Sequence, residues 1–140
     1  MSGEPRHANG REFEAEVDRD LAGMTDAQCS AACDQRITGV VTAGMLASYV
    51  TEEPYQGQRL GIMAPGILRH AGDVGQLAAL VAPRRCVVAG GVTGDGKPGD
   101  AAALRDAFAF TQSAYRIEGA PDALRILPAA DSQEIVKALR

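Results

Sequence analysis

The chain has 140 residues, 46% hydrophobic and 23% charged, with 14 Lys plus Arg against 18 Asp plus Glu and a formal net charge of −4. That length buries about two-thirds of the surface an unfolded chain exposes, so a core can form without metal or disulfide staples. The composition excludes collagen-like, disordered and disulfide-framework classes, and the acidic balance, with no Lys/Arg run interleaved with aromatics, argues against nucleic acid as a partner.

Cys29, Cys33 and Cys86 are an odd set that fits a reducing compartment. Positions 1–11 hold no apolar h-region, and no stretch nears the roughly 18 consecutive apolar residues of a membrane span. A cytoplasmic protein with no membrane partner is expected. Aromatics are only 4% while Gly reaches 16, so the core should rest on Ala, Val, Leu and Ile, with helices lying close to the sheet.

Residues 1–16 are polar and punctuated by Gly and Pro, which reads as an arm leading into a short helix and leaves 17–140 as one domain. Leu21 to Met24 reads as a short strand. Ala27 to Cys33 makes about two helical turns, Asp34 to Arg36 a turn, and the β-branched Ile37 to Ala43 a buried strand. From Gly44 to Gly72, Pro54, Pro65 and several glycines mark loops around short helices. Asp73 to Val81 has an acidic start and Leu77, Leu80 and Val81 at helical spacing, stopping before Pro83.

Arg85 to Ala89 is a strand running into Gly90 and Gly91. Asp100 has the identity and position to cap a long helix with Leu104, Phe108, Thr111 and Tyr115 down one side, which stops at Gly119 with Pro121 beyond. Leu124 to Leu127 is the last strand. Asp131 to Glu134 reads as a capping box ahead of Ile135, Val136 and Leu139 on a terminal helix. Strands alternating with helical crossovers define an α/β fold with a mostly parallel sheet covered on both faces.

Three segments, Leu77 to Gly90 (LAALVAPRRCVVAG), Asp34 to Val41 (DQRITGVV) and Gly119 to Asp122 (GAPD), resemble the C-terminal half of α/β-hydrolases, in the dienelactone-hydrolase and acetyl-xylan-esterase branch. The resemblance covers residues 17–140 in order and spacing. Arg85 departs from it, since Pro commonly follows the APR triplet there. It implies a truncated three-layer hydrolase-like sandwich and an ancestral ester-cleaving mechanism: a nucleophile on a G-x-S-x-G elbow, a His base and an orienting acid.

Matched to that pattern, the elbow falls on Asp26 to Ser30, with Gln28 in the nucleophile slot and Cys29 and Ser30 as relocated nucleophile candidates. Asp95 takes the acid position in the loop after the Arg85 strand, with Asp100 as its rival. Where the family reads P-G-G-H, this sequence has Pro128-Ala129-Ala130-Asp131, and an aspartate with a pKa near 4 cannot replace imidazole as base. His7 and His70 lie in the arm and the middle excursion, where the family has no matching role.

The resulting expectation is a hydrolase-like domain that does not catalyse as it stands. The alternatives are an interaction or self-association module using an exposed sheet edge, and a module completed by a complementing hydrolase half. A third alternative is phosphate binding: Gly91 to Lys97 satisfies G-x-x-x-x-G-K, but Pro98 stands where Ser or Thr would ligate Mg²⁺. No cofactor or metal is expected, because no His or second Cys pair accompanies Cys29 and Cys33.

Overall fold

A computed structural model describes residues 23–56 and 65–139. Strands β1 (Gly39–Leu46), β2 (Arg85–Val92) and β3 (Leu124–Leu127) form a parallel sheet in the order β1-β2-β3. The helices are α1 (Gly23–Cys33), α2 (Ile67–His70), α3 (Val74–Ala79), α4 (Ala101–Ala107), α5 (Ala109–Ile117) and α6 (Ser132–Leu139). The protein is therefore of the α/β class with a wholly parallel sheet among the described residues, and none of the described helices is long and apolar enough to cross a membrane.

Register decides which side chains share a face. Val40 pairs with Cys86 and Cys86 with Leu124, while Thr42 pairs with Val88 and Val88 with Ile126. In a parallel ladder paired residues point the same way and neighbours alternate. This face meets the helix layer: α1 packs on β1 and α3, α3 on α5, and α4 on β2 and β3. Leu77, Leu104, Phe108 and Tyr115 fill the space with the sheet's Val40, Cys86 and Val88.

The predicted apolar stripe is observed, since Leu104, Phe108, Thr111 and Tyr115 are all buried. The one long helix, however, is two, bent at Phe108 (φ −101°, ψ 16°). The bend falls where α3 comes closest: a Cβ on Gly75 would stand 2.5 Å from the Ala107 carbonyl oxygen, so only glycine allows this approach. Beside it the Thr111 hydroxyl donates to the Gly75 carbonyl at 2.6 Å, satisfying two buried polar groups together.

Caps follow the sequence. Asp100 accepts from the amides of Ala102 and Ala103 at 2.9 and 2.7 Å. At the other end the Ala120 amide donates to Tyr115 and the Gly119 amide to Arg116, the paired bonds that close a helix on glycine. Asp73 and Gln76 form a full reciprocal capping box on α3. Arg84, just before β2, donates to the carbonyls of Asp34 (3.1 Å) and Ile37 (2.8 Å), and its own carbonyl accepts from the Tyr115 hydroxyl at 2.6 Å.

Arg85, Val87 and Ala89 point to the opposite face. There α6 lies against β2 and β3, and the Arg85 guanidinium donates to the Leu139 carbonyl. No α6 residue is buried, and Val136 and Leu139 are exposed.

Three boundaries correct the sequence reading. Gly23 and Met24 open α1 rather than closing a strand; Leu21 and Ala22 lie outside the described residues, as does the arm at 1–16. A four-residue apolar run without β-branched residues does not distinguish the two states. The first strand runs Gly39–Leu46 rather than from Ile37 to Ala43. The second continues past Ala89 to Val92, because Met45 and Leu46 of β1 pair with Gly91 and Val92 and outweigh the low strand propensity of two glycines.

Candidate functional site

Open parallel sheets bind ligands at the carboxyl ends of their strands, where the loops converge. Here the loop after β1 interlocks with the loop after β2. The Ser48 hydroxyl donates to one oxygen of Asp73, and the Tyr49 amide donates to the other at 2.6 Å. Because Asp73 also caps α3, one carboxylate ties the loop to the helix layer. The Gln56 amide donates to the Gly94 carbonyl at 2.9 Å, and the Tyr55 hydroxyl to the Tyr49 carbonyl.

Asp95 stands in the second of these loops, with its side chain only 12% exposed. One carboxylate oxygen accepts from the Thr93 hydroxyl at 2.5 Å, and the other meets the Lys97 ammonium at 2.5 Å. The Lys97 and Thr93 hydrogen bonds hold the carboxyl well below its usual range, at about 2. Lys97 has its own pKa raised by the same bond. This acid already has a cationic partner, Lys97, inside its own loop. Asp100, its rival, is committed to the α4 cap.

Asp131, which the resemblance aligns with a histidine, is an exposed helix cap: one oxygen accepts from the amides of Gln133 and Glu134 at 2.9 and 3.0 Å. The expected reciprocal bond gives way to a contact between Glu134 and Lys137 at 3.8 Å. The chain leading to it crosses the end of β2. Gly90 has φ +68°, and a Cβ there would lie 3.1 Å from the Ala130 amide nitrogen. A side chain at position 90 would push the β3 loop away.

The elbow positions are part of a continuous helix. Residues 26–30 lie inside α1, so no strand-to-helix turn presents a nucleophile there. Gln28 is wholly buried; its amide nitrogen reaches Met45 Sδ at 3.7 Å, and its Oε1 has no hydrogen-bond partner among the described residues. Cys29 is half-buried against the core and Ser30 exposed on the surface of α1. The third sulfur, Cys86, lies under the helix layer, and burial pushes its thiol up to about 12. Neither Cys29 nor Ser30 is brought together with Asp95 by any hydrogen bond or ion pair of the described residues. His70 is exposed on α2, and His7 lies outside the described residues.

The Gly91 to Lys97 loop does not have the shape of a phosphate cradle, which needs successive amides turned toward an anion. The amides of Thr93, Gly96 and Gly99 donate to the carbonyls of Lys97, Thr93 and Gly91. Val92 and Pro98 form an antiparallel bridge, so the loop folds back on itself. Among the described residues no group of three or more His, Cys, Asp and Glu could hold a metal ion. The Ser48–Asp73 clasp escaped the sequence reading because its members are 25 positions apart; only Gln76, three after Asp73, signalled the cap.

Fold and site together define a small parallel α/β protein in which the loops after β1 and β2 are joined by a main-chain bond and the first is tied to α3 by the Asp73 carboxylate. No protein-family model, curated protein or solved structure matches the chain.

Proposed function

We propose that the chain is an α/β-hydrolase-like module, related to the C-terminal half of carboxylic ester hydrolases, that does not itself cleave esters. The observation that carries this reading is the setting of Asp95, the residue that the resemblance puts in the acid position: its carboxylate is paired with Lys97 and Thr93 inside one loop. A triad acid orients a histidine and stabilises the imidazolium, whereas the close partners of Asp95 among the described residues are Thr93 and Lys97 of its own loop and include no histidine. The helical setting of Gln28, Cys29 and Ser30 and the capping role of Asp131 support it.

p-Nitrophenyl acetate tests the proposal. The expected result is no saturable turnover above the buffer and free-thiol background. Saturable turnover that disappears in Cys29→Ala or Ser30→Ala would overturn it.

A second reading, as an interaction module, is favoured by the order of the sheet. In the described residues β1 and β3 each have a neighbour on one side only, leaving main-chain donors and acceptors open on the other. Sedimentation measurements should show concentration-dependent association, and a monomer at every concentration would count against it.

A further inference from the structure

Among the described residues the sheet ends at β3, while α4 packs across β2 and β3. Leu124 and Ile126 point to that helix layer, because they share the face of their partners Cys86 and Val88. Cys86 and Val88 are fully covered, whereas Ile126 stays half-buried. At this flank lies an open cavity of about 300 Å³, with Pro121, Leu124 and Ile126 as its apolar lining and Arg105, Gln112 and Arg116 as its polar lining.

Both arginines are exposed, and each guanidinium is anchored to its own helix. Arg105 Nε donates to the Ala101 carbonyl at 3.0 Å. Arg116 Nε donates to the Gln112 carbonyl at 3.4 Å, and its Nη2 to the Ser113 hydroxyl at 3.0 Å. These bonds leave the terminal nitrogens of Arg105 and Nη1 of Arg116 unused. Among the described residues neither arginine is in an ion pair, and no acidic side chain lines the cavity. Asp122, next to Pro121, pairs with Arg125 at 3.8 Å. Two positive charges therefore border an apolar surface with no lining anion to balance them.

Guanidinium forks match carboxylate oxygens, and anchoring them before a ligand arrives lowers the ordering cost of binding. The volume equals that of about ten water molecules, which sets a ligand of about ten non-hydrogen atoms. A bare anion would leave Ile126 wet, and a neutral apolar molecule would leave the arginines unpaired. The lining calls for both characters in one molecule.

We propose that this cavity binds a small carboxylate carried on an apolar body, of the size of phenylacetate. The arginines hold the carboxylate, and Pro121, Leu124 and Ile126 take the ring or branched chain. The site shares no lining residue with the loops after β1 and β2, and it rests on neither reading given above.

Amide NMR titration of the full chain with phenylacetate tests it, with circular dichroism to verify that each variant is folded. The expected result is saturable shifts at Gln112, Arg116 and Ile126, with a dissociation constant on the order of 1 mM for so small a ligand. Phenylacetamide keeps the ring and loses the charge, acetate keeps the charge and loses the ring, and each should bind roughly tenfold more weakly. Arg105→Gln/Arg116→Gln should weaken phenylacetate by a similar factor. Acetate binding as tightly as phenylacetate reduces the site to a surface anion contact and overturns the proposal. Phenylacetate binding that is unchanged in the arginine variant, or absent altogether, overturns it as well.

Discussion

On the face formed by Val40, Thr42, Cys86, Val88 and Ile126, α3 meets the α4–α5 arm at Gly75, with its backbone close against the Ala107 carbonyl, and four side chains of the arm are buried. On the opposite face α6 lies over β2 and β3 without one buried residue, held at its end by the Arg85 bond to Leu139. The first helix layer packs through its own buried side chains, whereas α6 buries none of its own, although the sheet's Val87 and Ala89 on that face are fully buried. Cooperative stability should therefore reside in the first, while α6 opens at lower cost, as locally unfolding segments with few buried contacts do.

Urea denaturation of paired variants can break this contrast. Phe108→Ala empties a fully buried aromatic site and should cost about 3–5 kcal/mol. Gly75→Ala, a single added methyl group, should cost about 1–3 kcal/mol, because the Ala107 carbonyl cannot retreat without moving the arm. If both left the unfolding midpoint unchanged, the assignment of the core to this face would be wrong.

Acid should act at the loops rather than on the core. Asp95 and Asp34 are both held at about 2, the latter chiefly by its hydrogen bonds with Arg36. A carboxyl whose folded pKa is depressed contributes stability that is present above its unfolded value near 4 and lost as pH falls toward the folded one. Thermal midpoints should therefore fall between about pH 4 and pH 2. Asp95→Asn should flatten part of that fall, and an unchanged acid limb would remove Asp95 from the account. Smallest of all, Val136→Ser on α6 should alter global stability by less than about 0.5 kcal/mol, while hydrogen exchange reports faster opening of α6 than of α5.

Local signals made much of the packed layer legible. The spacing of Leu104, Phe108, Thr111 and Tyr115 located a buried stripe, Asp100 and Gly119 marked its ends, and Leu124–Leu127 matched its predicted bounds. What stayed hidden depends on contacts distant in sequence. The bend at Phe108 answers to Gly75, the extension of β2 through Gly90 and Gly91 answers to β1, and Ser48 finds Asp73 only after the sheet has formed. At the candidate site, sequence placed Asp95 after the second strand, but not its Lys97 and Thr93 bonds. Within the Leu21 to Met24 reading, Gly23 and Met24 are helical instead, since a short apolar run fits a helix as well as a strand.

Arg84 has a consequence for how the sheet chooses its alignment. Its side chain grips the two carbonyls that precede β1, and its backbone leads directly into β2, with Tyr115 locked to the same residue. The first residues of the two strands, Gly39 and Arg85, are thus brought level before the ladder begins. Sliding β2 by one position would invert its faces, burying Arg85 under the helices and turning Cys86 and Val88 outward. A guanidinium at the threshold of the ladder works like the pin of a zip, admitting one alignment and refusing the next.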